Sequence, residues 1–79
     1  MEDKVKEIFD DNLGLRVTRI DEKPGVNLTS LRVWVHLNDL RNCNFSDEDI
    51  FAVVKTHMPD VIGLFSTSNC FSLIRKINE

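Results

Sequence analysis

Hydrophobic residues along this chain change from helical spacing to alternation and back, and that rhythm divides the sequence. In residues 2–12, Val5, Ile8 and Phe9 fall on one helical face with Leu13 a turn further on, and Glu2 forms an i,i+4 pair with Lys6. Gly14 stands where a left-handed residue would end that helix. Residues 15–20, LRVTRI, alternate instead, with Leu15 and Val17 on one side and Arg16 and Thr18 on the other, and predict a strand. Lys23-Pro24-Gly25-Val26 then has the composition of a type II turn. A second strand is expected over about 27–37, where Leu31, Val33, Val35 and Leu37 alternate with Arg32, Trp34 and His36. Val26 and Leu28 are out of phase with that set, so a bulge is expected near Thr29-Ser30.

Residues 38–44, NDLRNCN, read as a polar loop. Ser46 is placed to cap a second helix whose first turn, Asp47-Glu48-Asp49, suits the positive end of the helix dipole. Phe45 can staple onto Ile50; Ile50, Val53, Val54 and His57 make the inward stripe, widened by Phe51 and Met58, and Pro59 ends it. Residues 61–65, VIGLF, resemble a short buried strand. Residues 70–77 fit a strand with Phe71, Leu73 and Ile77 inward, or a helix with Cys70, Leu73, Ile74 and Ile77 on one face. The loop composition of STSN favours the strand. The order α-β-β-α-β-β predicts an α+β, two-layer fold: two helices on one face of a mostly antiparallel three- or four-stranded sheet. The expected core is Val5, Ile8, Phe9, Leu15, Val17, Leu31, Val33, Val35, Ile50, Val53, Val54, Leu64, Phe71 and Leu73.

Composition narrows the class. Seventy-nine residues, 42% hydrophobic and 29% charged, suit a single small globular domain over 1–79. A chain of this size buries roughly 60–65% of its unfolded surface, so stability is modest. The net charge of −3 is unevenly spread. Residues 1–12 set five carboxylates against Lys4 and Lys6, and residues 46–60 set Asp47, Glu48, Asp49 and Asp60 against Lys55. The predicted helices are thus acidic and the sheet mildly basic. MEDKVKEIF is not a signal peptide, and no apolar run approaches a membrane span, so a cytoplasmic location with Cys43 and Cys70 as free thiols is expected.

Candidate chemistry concentrates on the outward side of the strands: Arg16, Thr18, Arg32, Trp34 and His36. Arginines beside an aromatic plane can hold single-stranded nucleic acid, although such sheets usually present two or three aromatics. Tryptophan and arginine are also the residues most enriched in protein-interface hot spots. The same pattern can serve simply to cover the sheet, with Trp34 packing on arginine stems. His36, Cys43, His57 and Cys70 have no zinc-site spacing, and Asp47-Glu48-Asp49 lacks the glycine and distal glutamate of a calcium loop, so no metal or cofactor is expected. No nucleophile–base constellation appears, and no enzymatic activity is expected. VKEIFDDNLGL is similar to the first helix of acyl carrier proteins, and FSDEDI to the opening of a later one. That family carries its phosphopantetheine on serine in an Asp-Ser-Leu triplet; Thr29-Ser30-Leu31 lacks the aspartate and leads into alternating sequence, so no residue is carried across.

The expectation is a small non-enzymatic protein-binding regulator or adaptor acting through the exposed sheet face, a profile that compact viral-type inhibitors share. The alternative is a weak single-stranded nucleic-acid binder using that face. A homodimer through the sheet or its edge is a further expectation.

Overall fold

The inward positions of the second strand decide the architecture. In the computed structural model, which describes residues 2–76, Thr29, Leu31, Val33 and Val35 of β2 (Leu28–Val35) are buried. Arg32 and Trp34 face the other way. β2 pairs antiparallel with β1 (Val17–Pro24) on one side and with β4 (Cys70–Lys76) on the other; β4 also pairs with β3 (Val61–Thr67). The sheet is four-stranded and antiparallel throughout, in the order β1-β2-β4-β3. Helices α1 (Glu2–Glu7), α2 (Leu37–Arg41) and α3 (Asp47–His57) complete an α+β, two-layer fold. The carboxyl-terminal segment is therefore a strand; Ile77, expected inward, lies outside the described residues.

The first helix does not stay regular. After Glu7 it widens into a π turn over Ile8–Asn12, which keeps Ile8, Phe9 and Leu13 buried while Asp10, Asp11 and Asn12 are exposed. Gly14, at φ +68°, reverses the chain in the left-handed conformation. The Leu15 N–H then reaches back to the Phe9 carbonyl at 2.8 Å, one residue further than an ordinary α-helix end would require. Phe9 meets Phe71 of β4 with ring centroids 5.6 Å apart and planes tilted by 50°. That contact fixes the helix layer to the centre of the sheet.

α3 begins where its cap residues require. The Ser46 hydroxyl accepts from the Asp49 N–H at 3.2 Å, and the Asp49 carboxylate accepts in return from the Ser46 N–H at 3.4 Å. Ile50, Val54 and Met58 make its buried stripe, with Val53 and Phe51 partly buried. His57, expected on that stripe, is exposed, because the buried line passes through Met58 instead. Of the expected core, Val17, Val53 and Leu64 are only partly buried, and Leu13, Met58 and Val61 join it.

Three local expectations are corrected. β2 pairs regularly through Lys23↔Ser30 and Pro24↔Thr29, so there is no bulge at Thr29-Ser30. The phase conflict is resolved by burying Thr29 and leaving Leu28 and Val26 exposed. Irregularities fall instead on the edge strands, at Thr18 and at Ile62. The reversal sits two residues on from Lys23–Val26, at Gly25–Leu28: Pro24 ends β1 and the Gly25 N–H donates to the Leu28 carbonyl at 2.7 Å. A Cβ on Gly25 would lie 2.7 Å from that same oxygen, so the close approach, not a positive φ, requires glycine. Residues 37–41, within the expected end of the strand and polar loop, form the short α2, with Leu40 packed against the core.

Phe71→Ala should cost about 3–5 kcal/mol in urea unfolding, since it empties the helix–sheet junction. Ser46→Ala should cost about 1 kcal/mol by the same measurement, through loss of the cap alone.

Candidate functional site

Side chains on the outward side of the sheet stand in cross-strand rows set by register. Arg19, Trp34, Cys70 and Thr67 make one row; Asp21, Arg32, Ser72 and Phe65 the next; Lys23, Ser30, Ile74 and Gly63 a third. Trp34 is half-buried at the centre of its row, and the Arg19 guanidinium lies 4.7 Å from the centroid of its ring, a cation–π contact. Arg19 also pairs with Asp21 at 2.7 Å, so one guanidinium both covers the indole and ties down the neighbouring carboxylate. Arg32 is exposed, between Asp21 on β1 and Ser72 on β4. Phe65 on β3 is 64% exposed. The face thus has an aromatic and aliphatic middle (Trp34, Ile74, Phe65) with Arg19, Lys23, Arg32 and Lys76 around it and Asp21 as its carboxylate.

Two of the five expected site residues, Arg32 and Trp34, occupy this face together. Arg16 and His36 do not join them there, and Thr18 reaches Trp34 only through its backbone carbonyl. The irregularity at Thr18 shifts the phase of β1, so that Arg19 becomes the register partner of Trp34. Thr18 stays exposed at the strand edge, its hydroxyl donating to the Trp34 carbonyl at 3.3 Å. His36 leaves the sheet to cap α2 through its backbone; its N–H donates to the Arg16 carbonyl and its own carbonyl accepts from Leu40. Arg16 turns to α2, where its Nε and Nη2 bind the two oxygens of Asp39 at 2.9 and 3.2 Å, and its backbone N–H adds a further bond at 2.9 Å. These hydrogen bonds hold the Asp39 carboxyl down at about 2. Arg16 is therefore committed to a structural clamp between the start of β1 and α2.

Sequence reasoning missed Arg19, Asp21, Phe65 and Ile74. Arg19 and Asp21 were hidden by counting alternation from Leu15 through a residue that the ladder skips. Phe65 was not legible, because VIGLF is apolar throughout and its register with β4 alone decides which residues face outward.

Cys70 is half-buried beside Trp34, and burial pushes its thiol above the ordinary range, which disfavours the reactive thiolate. Cys43 and Cys70 are both free. Among the described residues no three His, Cys, Asp or Glu side chains come together as a metal-binding group. A depression in the helix layer is lined by Lys4, Glu7, Ile8, Asp11, Asn12 and His57. Among the described residues no helix is long and apolar enough to cross a membrane.

No protein-family model, curated protein or solved structure matches this chain. The functional reading therefore rests on the geometry of its own residues.

The Arg16–Asp39 clamp gives a pH test. A carboxyl whose folded value lies near 2, against 3.8 ordinarily, stabilises the fold fully above about pH 4 and loses that contribution as pH falls toward 2. Thermal melts of the wild type and Asp39→Asn should converge between pH 4 and pH 2, the variant lacking this part of the acid sensitivity.

Proposed function

We propose that this protein is a small non-enzymatic regulator or adaptor that works by occupying a surface on another protein with the outward face of its sheet. The observation that carries this reading is the Trp34 indole, half-buried beneath Arg19 and flanked by Arg32, with Phe65 two strands away on the same side. A tryptophan already held by its neighbours loses little side-chain freedom on binding, and arginines around it can pair with carboxylates on a partner. The charge balance of the face suggests the partner's character. The face is cationic on a chain of net charge −3, so it suits an acidic surface with an apolar centre. An inhibitor that blocks such a surface is one form this role could take, within a cytoplasmic setting.

A second reading is favoured by one specific feature. Phe65 joins Trp34 on the face, giving two aromatic planes with arginines between strands, as a single-stranded nucleic-acid platform would have. Against it, Asp21 engages Arg19 and lies opposite Arg32, which lowers the positive potential offered to phosphate.

One experiment addresses both readings. The chain has one tryptophan and no tyrosine, so its emission reports Trp34 directly. Titration with a mixed single-stranded oligonucleotide should leave that emission unchanged. Quenching that weakens steeply as salt rises would instead establish the nucleic-acid reading. In capture from cell extract, a partner retained by the wild type should be lost with Trp34→Ala and with Arg32→Glu, each weakening binding by about 2 kcal/mol or more. Glu48→Lys, on the helix layer, should leave it in place. Equal retention by all four proteins would rule out the sheet face as the contact.

A further inference from the structure

The two edges of the sheet are built differently. β1 carries Arg19, Asp21, Glu22, Lys23 and Pro24, residues of the kind that discourage another strand from pairing. Its first amide is also engaged, because the Val17 N–H donates to Asp10 at 3.1 Å. β3, the other edge, reads Val-Ile-Gly-Leu-Phe-Ser-Thr and has neither a charge nor a proline. Its start is guarded: the Val61 N–H donates to the Met58 carbonyl at 3.0 Å, and Lys55 Nζ donates to the Val61 carbonyl at 3.1 Å. Beyond the irregularity at Ile62 no strand among the described residues pairs with its outer side. Thr67 and Cys70 face each other across the two-residue loop Ser68-Asn69. Alternation from that pair turns the backbone N–H and C=O of Ser66 and Leu64 away from β4. Between them Phe65 stands largely exposed on the outward face.

The geometry points to a two-fold dimer in which β3 pairs antiparallel with β3 of a second copy, Leu64 lying opposite the partner's Ser66. In this register both Leu64–Ser66 pairs exchange N–H···O bonds in each direction, which satisfies the open groups of the edge. The two-fold axis then passes between the two Phe65 rings, which meet as a close, non-hydrogen-bonded pair. Gly63 comes opposite the partner's Thr67, where the absent side chain leaves room. No charge is brought opposite itself within the strands. The exposed Phe65 is buried by a copy of itself, which is why a second copy suits this edge better than an arbitrary strand. Asp47, which accepts from the Ser66 hydroxyl at 2.9 Å, stands near the axis in both copies, so added salt should tighten the pairing. The dimer takes Phe65 out of the face proposed above, while Trp34, Arg19 and Arg32 lie across β4 from the seam and remain available in both copies.

Sedimentation of the full chain from micromolar to millimolar concentration, with amide exchange measured by NMR, tests the dimer. The expected result is a concentration-dependent doubling of mass, with slowed exchange at Leu64 and Ser66 and unchanged exchange along β1. Phe65→Lys should weaken association at least about tenfold by setting two ammonium groups across the axis. Its thermal melt at low concentration should match the wild type, and the exchange measurement on the wild type needs no variant. A chain that stays monomeric at millimolar concentration overturns the proposal. So does a dimer whose Leu64 and Ser66 amides exchange as fast as in dilute solution, which would move the interface elsewhere. Protection that appears only with an added extended peptide also overturns it, and assigns the edge to a foreign strand.

Discussion

The pairing of β2 with β4 is the constraint on which the rest of the molecule depends. Val33 lies opposite Phe71 and Leu31 opposite Leu73 on the helix side, while Trp34 lies opposite Cys70 and Arg32 opposite Ser72 on the other. Side chains alternate with a period of two, so a slip by one residue would exchange the two sets. The apolar side would meet water, and the arginine and tryptophan would face Phe9. Burial of Leu31, Val33, Phe71 and Leu73 therefore determines what the outward face displays. Core and candidate site are two readings of one register.

The outer strands tolerate irregularity that the central pair does not. At Thr18 the ladder skips a residue, which brings Arg19 to Trp34 and lets Arg16 turn away toward Asp39. At Ile62 the second irregularity leaves an apolar side chain half in water, next to Val61, whose carbonyl accepts from Lys55 Nζ. Edge strands bond on one side, so a bulge there disturbs one ladder rather than two. The polar specificity of the face is thus tuned from its margins, with Arg19 placed by a local defect and Arg32 by the regular centre.

Legibility in the sequence followed the same division. The alternation of Leu31, Val33 and Val35 with Arg32 and Trp34 is unbroken, and it located β2, its buried side and two residues of the candidate site. The Ser46 cap and the Gly14 stop were equally plain, because each is a local rule satisfied by one or two residues. What failed was everything that depends on counting across a skipped residue or on a tertiary partner. Arg16 looked outward until Asp39 claimed it, and α2 exists because that clamp and Leu40 hold five residues that would not form a helix alone. Phe65 could not be assigned a face without the register of β3 against β4. His57 matched the helical stripe by spacing, yet Met58 took the buried place.

The turn between β3 and β4 has a consequence for how the chain assembles. Asn69 accepts from the Val35 N–H with its backbone carbonyl at 3.0 Å and donates to the Val35 carbonyl with its side chain at 2.9 Å. These bonds join residues 34 positions apart, and they continue the β2–β4 ladder past its last strand pair. Each hairpin is local and can form within microseconds, whereas bringing one against the other closes a long loop before any contact rewards it. Joining the two hairpins is then the pairing with the larger cost in chain entropy, and the Asn69 bonds are among those that offset it. Apart from each other, the hairpins would leave β2 and β4 as open edges.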